Sequence, residues 1–169
     1  DKQARLRLKK LIQPFMLRRT KAQVLDELPS RTEITLHVEL SGEEKALYEA
    51  LRRDAIAKLT NTDAKAGAKH LQVLAEITRL RRMCCNPKLV APRVAPASAK
   101  LQLFGEVLEE LLSNRHKALV FSQLVDHLTI LHNFLDEQNI PYQYLDGSTP
   151  AKQRKQRVDA FQAGDGNVF

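Results

Sequence analysis

The stretch YLDGSTP, residues 144–150, is typical of a strand that ends in a tight turn and leads directly into a helix. Thr149 can cap that helix, and Pro150 can take its first position, where a missing N–H costs nothing. The free N–H groups at a helix start attract anions, whereas cations are unfavourable there. Yet the first two turns carry four cations: Lys152, Arg154, Lys155 and Arg157. The pattern indicates either a bound anion or a solvated basic face, and for a lone helix the second is more common.

A second polar segment follows a second predicted strand. KALVFSQ (117–123) is a short apolar run typical of a strand buried on both faces, and it ends at Ser122 and Gln123. Asp146 to Thr149 lie at the end of the strand predicted over 142–146 in the same way. Ligands bind beyond the carboxyl ends of parallel strands. We therefore expect both polar segments to lie at one edge of a sheet.

The whole chain is basic, with 27 Lys and Arg against 20 Asp and Glu and a formal net charge of +7. Such a balance favours polyanionic partners such as nucleic acid. Besides the 152–157 cluster there are two others, whose members are Arg79, Arg81, Arg82 and Arg18, Arg19, Lys21. Each cluster, taken alone, is equally well explained as solvated surface.

Several kinds of active site are missing from the sequence. There is no G-x-x-x-x-G-K-[ST] loop for a nucleotide phosphate, no G-x-G-x-x-G after a strand and no G-x-S-x-G nucleophile elbow. The only cysteines, Cys84 and Cys85, are adjacent and cannot fill a four-ligand zinc site. The histidines show no ligand spacing, so we predict no metal site and no complete catalytic centre.

Apolar runs, cysteines and the charged start of the chain indicate its cellular compartment. There is no run of 18 apolar residues, so no transmembrane helix is predicted. Unpaired cysteines and the charged start DKQARLRLKK favour a reduced, intracellular protein. The chain begins with Asp1 and stops at NVF, where a strand is predicted to begin, so we expect a piece of a longer protein.

Periodicity and capping signals place the elements. The first part is expected to hold a helix and turn over 4–28 interrupted at Pro14, an edge strand over 33–40 and helices over 42–59 and 68–85. Ser41 and Glu44 have the spacing of a capping box at the start of the second helix. A proline-rich linker, NPKLVAPRVAPAS, follows.

After the linker, helices and strands alternate strictly. Helices are predicted over 98–114, 124–138 and 150–163, the last closed by Gly164, and strands over 117–123, 142–146 and from Asn167. Alternating units of this kind build a parallel sheet with helices on both faces and right-handed crossovers.

Four segments together carry a family resemblance. They are PFMLRRTKAQVLDELPSRTE, LRRMCCNPKLV, SAKLQLFGEVLEELL with HKALVFSQ, and YQYLDGSTPAKQRKQRVDAFQAG. In this order they resemble the Swi/Snf-type ATPases of helicase superfamily two, motors that translocate on double-stranded DNA. They would correspond to the segment joining two RecA-like lobes, a helical insertion, motif IV with its preceding helix, and the next strand and helix of the second lobe.

The resemblance implies a fold and a division of the chain. The fold would be α/β, a partial RecA-like parallel sheet with flanking helices that a helical insertion subdomain precedes. Residues 1–32 would connect the lobes, 33–97 would hold the edge strand, insertion and linker, and 98–169 would begin the second lobe. ATP and Mg²⁺ would be used by the intact parent, whose first lobe and arginine finger are not in this sequence. The piece alone would bind neither and would be inactive.

The resemblance also implies roles for single residues. Contacts to the phosphates of the tracked strand would come from Ser122, Gln123, Gly147, Ser148, Thr149, Lys152, Arg154 and Arg157. Arg18, Arg19 and Lys21 would belong to a brace between the lobes. Arg79, Arg81 and Arg82 would form the basic patch of the insertion, with the last two packing it against the lobe.

The expected partner is double-stranded DNA, bound through its backbone without sequence preference, with a possible protein partner on the DNA. One alternative is a lobe of an RNA or single-strand helicase, and another is a basic scaffold without enzyme activity. The parent is expected on the nucleoid if bacterial, which is favoured, or in the nucleus if eukaryotic.

Overall fold

The computed structural model describes residues 2–19, 32–60 and 66–169, which belong to two compact units, 1–36 and 37–169. In the first unit, helix α1 spans Lys2–Ile12 and ends at a 3₁₀ turn, Gln13–Phe15. This confirms the predicted interruption at Pro14. The rest of the predicted helix-and-turn segment, beyond residue 19, lies outside the described residues.

The strand predicted over 33–40 is wrong. The described residues contain no bridge to this segment, and Ile34 is 78% exposed. Only Val38 and Leu40 are half-buried, on alternate positions. A strand needs backbone hydrogen bonds to a neighbouring segment, and no described segment provides them here. The alternation of apolar and polar residues was therefore not sufficient to predict a strand.

Helices α2 and α3 are the first two helices of the second unit. They span Gly42–Thr60 and Ala66–Cys85, close to the predicted bounds. The capping box is confirmed, because the Ser41 N–H donates to Glu44 Oε2 at 2.8 Å and the Glu44 N–H donates to Ser41 Oγ at 3.2 Å. Arg79 of α3 reaches Asp54 of α2 at 2.7 Å and lies 3.6 Å from Glu76.

The proline-rich segment is not wholly irregular. A 3₁₀ turn spans Pro87–Leu89, and the side chain of Asn86 caps it by accepting from the Lys88 N–H at 2.9 Å. Asn86 itself is buried. Because proline suits the first position of such a turn, the first of the three prolines supports local structure instead of excluding it.

Three helices lie in the part of the chain after the linker. They are α4 (Ala99–Ser113), α5 (Val125–Glu137) and α6 (Ala151–Ala163). All three lie within about two residues of the predicted bounds, and α6 ends at Gly164 in a left-handed conformation, as predicted. The core is a cluster of four buried residues, Leu108 from α4, Leu135 from α5, and Ala118 and Val168 from the segments between and after the helices.

No strand long enough to be named occurs in the described part of the chain. Two isolated parallel bridges join Ala118 and Tyr142 to Val168. The Ala118 N–H donates to Asn167 O and the Gln143 N–H donates to Val168 O, both at 2.9 Å. The extended parallel sheet that we predicted is therefore not found, although the final segment runs between the two others in the same direction.

The segment 117–123 is also not buried on both faces. Ala118 faces the core, whereas Leu119 is exposed and Phe121 is 88% exposed. Side chains alternate along an extended segment, and here only one of the two sides is covered. A continuous apolar run was therefore a correct indicator of extended backbone and a wrong indicator of burial.

Gly166 is expected to resist substitution. Its φ is +94°, and a Cβ there would lie 3.3 Å from Cα and C of Tyr142, which are backbone atoms beside a bridge. Gly166→Ala should lower the free energy of unfolding by about 1–3 kcal/mol. Urea unfolding followed by circular dichroism measures this. Gly42→Ala is the control, since nothing lies within 4 Å of its Cβ; equal effects would contradict the steric explanation.

Candidate nucleic-acid interface

The turn before α6 is organised around the carboxylate of Asp146. Its Oδ1 accepts from the Ser148 N–H at 2.9 Å, the Ser148 hydroxyl at 2.7 Å, and the Thr149 N–H and hydroxyl, both at 3.1 Å. Its Oδ2 accepts from the Tyr144 hydroxyl at 2.8 Å. The Ser148 hydroxyl, followed by that of Tyr144, holds the pKa of Asp146 well below its usual range. The anion that this turn binds is its own carboxylate.

Thr149 does not cap α6. Pro150 occupies the N-cap position without a side-chain hydrogen bond, while the buried Thr149 accepts from the Asp146 N–H at 3.1 Å. Our N-cap assignment was wrong by one residue. The physical reason is competition, since Asp146 engages both the N–H and the hydroxyl of Thr149 and turns them away from the helix start.

The two arginines of the basic cluster fold back onto the same turn. Arg154 donates through Nε to Thr149 O at 2.8 Å and through Nη2 to Asp146 O at 3.0 Å and Gly147 O at 3.3 Å. Arg157 donates through Nη1 to Tyr144 O. Carbonyl oxygens of the chain thus hold the guanidinium groups that we predicted to face phosphate.

The two lysines differ from the arginines. Lys152 and Lys155 are exposed, and in the part of the chain that the structure describes neither makes a hydrogen bond or ion pair. Residues three apart lie on the same side of a helix, so the two ammonium groups project from one side of the first turns of α6. The cluster therefore divides into two arginines that close the turn and two lysines that remain available to a ligand.

The other polar segment is tied to α3. Ser122 Oγ accepts from the Leu124 N–H at 3.2 Å and lies 3.4 Å from His127 Nδ1. Gln123 Oε1 accepts from Arg81 Nη2 at 2.9 Å. Arg82 Nη2 donates to Asp126 Oδ2 at 2.8 Å. These bonds close one side of a cleft of about 330 Å³ between α3 and residues 121–127.

The structure relates the two polar segments only through the bridges. Residues 118 and 142 both pair in parallel with Val168, so residues 122–123 and 146–149 follow segments that run in the same direction. No hydrogen bond between described residues joins them directly. Of the brace residues, Arg18 and Arg19 are exposed in the first unit, whereas Lys21 lies outside the described residues.

Sequence reasoning placed Asp146 at the predicted sheet edge but gave no role to this residue, which organises the turn. A signal was present, because in DGST an aspartate precedes a serine by two positions and a threonine by three. Asp side chains accept from backbone N–H groups two or three residues on. The role of Arg154 had no such signal, since its three acceptors are main-chain carbonyls.

Comparison with known proteins settles the family. The SNF2-related domain matches residues 1–89, and the helicase conserved C-terminal domain matches residues 99–169. The chain belongs to the SNF2-related family. This confirms the resemblance to Swi/Snf-type proteins of helicase superfamily two that its four segments indicated.

Several curated relatives of this SNF2-related chain come from eukaryotes. It is 32% identical over 164 residues to chromodomain-helicase-DNA-binding protein 1-like of Mus musculus, covering 91% of this chain and 18% of that protein. It is 31% identical over 179 residues to nuclear protein STH1/NPS1 of Saccharomyces cerevisiae, covering 96% and 13%. The chain therefore spans less than a fifth of these relatives. The preference for a bacterial source finds no support among them.

Solved structures agree on the fold. The Sulfolobus solfataricus SWI2/SNF2 ATPase core in complex with dsDNA has a TM-score of 0.73 at 26% identity, covering 98% of this chain and 36% of that one. The C-terminal domain of the same ATPase has a TM-score of 0.70 at 22% identity, covering 79% and 59%. This SNF2-related chain therefore matches the fold of part of a SWI2/SNF2 ATPase core. No described helix is long and apolar enough to span a membrane.

Proposed function

We propose that this SNF2-related chain is part of an ATP-driven translocase on double-stranded DNA and that its second unit grips the DNA backbone. The observation that carries the proposal is the pair Lys152 and Lys155, exposed on one side of α6 beside a turn whose two arginines already donate to main-chain carbonyls. The solved neighbour in complex with dsDNA supports duplex DNA as the partner. Backbone contacts of this kind would make binding independent of sequence.

Two structural statements belong to this proposal. The bridged segments around Val168 would be the start of the RecA-like parallel sheet. The chain would divide into a connecting segment (1–32), an insertion with its linker (33–97) and the beginning of the second lobe (98–169). Five of the eight proposed phosphate contacts lie outside α6, namely Ser122, Gln123 and residues 147–149. These five would bind phosphate through the backbone and side-chain groups that are not used in hydrogen bonds within the chain.

ATP and Mg²⁺ would be used by the parent protein, but the residues described here do not fit them. They contain no group of three or more acidic, His or Cys side chains that could hold a metal ion. The sequence has no phosphate-binding loop. We therefore assign no step of ATP hydrolysis to this chain and expect its 169 residues alone not to hydrolyse ATP.

The test uses the full-length protein with Lys152→Ala and Lys155→Ala combined. Loss of two exposed contacts should weaken duplex DNA binding about three- to tenfold near 150 mM salt. The slope of log K against log salt should become shallower by about 1.8, since each phosphate contact contributes roughly 0.9. Fluorescence anisotropy across a salt series measures both quantities, and DNA-stimulated ATPase should fall in parallel.

The matched control is Lys69→Ala with Lys88→Ala, which removes the same charge from two exposed lysines outside α6. An unchanged slope in the α6 variant, or an equal change in the control, would show that the lysines are merely solvated. Single-stranded DNA and RNA serve as competitors. Tighter binding of either would favour the single-strand or RNA helicase, and DNA binding without stimulated ATPase would favour a static scaffold.

A further inference from the structure

Arg154 uses its planar guanidinium in a way that other cations cannot reproduce. Two of its nitrogens reach three main-chain carbonyls, those of Asp146, Gly147 and Thr149, at 2.8–3.3 Å. An ammonium group has no fixed fork and cannot hold three acceptors in this arrangement. The side chain therefore ties the start of α6 to both ends of the preceding turn.

Asp146 completes the same arrangement from the other side. Its carboxylate gathers the N–H and hydroxyl groups of Ser148 and Thr149, which are the donors that an approaching phosphate would need. A phosphate at this point would meet a carboxylate of like charge. The donors of the turn are thus engaged internally, and main-chain carbonyls hold the guanidinium of Arg154.

The turn is also anchored to the rest of the unit. Tyr144 donates its hydroxyl to Asp146 and accepts from Arg157 at its carbonyl oxygen. The ring of Tyr144 packs edge-on against that of His132 from α5, with centroids 4.0 Å apart. Tyr144 therefore links α5 to the turn, and the turn in turn fixes the position of the first residues of α6.

We propose that Asp146 and Arg154 are positioning residues, which hold the start of α6 so that Lys152 and Lys155 meet neighbouring phosphates, and that neither touches DNA itself. This inference rests on the proposed function. It reverses the role that the resemblance implied for Arg154. It also separates two classes of charge within one cluster, structural arginines and DNA-facing lysines.

The experiment measures duplex DNA affinity of the full-length protein for Arg154→Ala, Arg154→Lys and Asp146→Ala. Binding should weaken about three- to tenfold in all three variants, because Lys152 and Lys155 are no longer held at the positions that match neighbouring phosphates. Arg154→Lys should not rescue binding, although it keeps the charge. Asp146→Ala should weaken binding, although it removes a negative charge. Asp146→Asn, which keeps an oxygen acceptor for the turn, should recover most of the affinity.

A combined variant separates positioning from contact. In the Lys152→Ala, Lys155→Ala background, Arg154→Ala should weaken binding less than twofold and leave the salt slope unchanged, since coupled residues are not additive. A further loss of about 0.9 in that slope would mean a phosphate contact and would overturn the inference. So would rescue by Arg154→Lys or tighter binding of Asp146→Ala. Circular dichroism confirms that each variant is folded.

The same data keep the two proposals apart. If the double lysine variant has the expected shallower salt slope and Arg154→Ala behaves additively, the proposed DNA contact by the lysines is supported and the positioning role fails. If the double lysine variant binds DNA like the wild type, the proposed DNA contact by the lysines is wrong, regardless of the result for Arg154→Ala.

Discussion

Replacing Glu44 by alanine is expected to lower the free energy of unfolding by about 2–4 kcal/mol, a large effect for a single polar residue. Glu44 is 1% exposed, and its two oxygens serve two different helix starts. Oε2 accepts from the Ser41 N–H before α2 at 2.8 Å, and Oε1 accepts from the Ala99 N–H at the start of α4 at 3.2 Å. The alanine variant leaves both donors without this acceptor.

Glu43 provides the matched control for this prediction. It precedes Glu44 in the first turn of α2 but is exposed, so Glu43→Ala should change stability by no more than about 0.5 kcal/mol. Glu44→Gln should lie between the two, because an amide offers one oxygen where the carboxylate offers two. Urea unfolding monitored by circular dichroism gives the values. Equal losses of stability for Glu43→Ala and Glu44→Ala would show that Glu44 does not stabilise the protein by linking the starts of α2 and α4.

Leu108→Ala is expected to destabilise the protein by about 2–5 kcal/mol. Leu108 of α4 is 2% exposed and packs in the cluster with Ala118, Leu135 and Val168, where the helices meet the bridged segments. Removing its side chain leaves a cavity that these neighbours cannot close without moving the bridges. The midpoint of urea unfolding should therefore fall markedly.

The control for Leu108 is Leu71→Ala. Leu71 also lies in a helix but is 70% exposed, so the substitution should change stability by less than about 0.5 kcal/mol. A loss of similar size at both positions would show that burial of Leu108 is not the cause, and helix propensity could not explain it either, because alanine favours a helix at least as strongly as leucine does. Little loss at Leu108 would mean that the cluster at this end of the chain is not the core of the second unit.

The Glu44 contacts illustrate how far sequence reasoning reaches. The bond between Glu44 and Ser41 was predicted from a spacing of three residues, because a capping box is local. The bond to Ala99, 55 residues away, had no sequence signal. The same difference separates Asp146, whose partners lie two and three residues on, from Gln123, whose partner Arg81 lies 42 residues back.

The sequence by itself determined the helices of the second unit, the end of α6 at Gly164 and the family, which follows from four segments in a fixed order. Helical hydrogen bonds and caps close within four residues, so local spacing is enough to predict them. Only the tertiary structure decided that 33–40 forms no strand with another described segment, that the buried-strand pattern is covered on one side, and that Arg154 holds a turn. Strand pairing and the partner of a long cation depend on which distant backbone groups come within reach, and no local pattern records that.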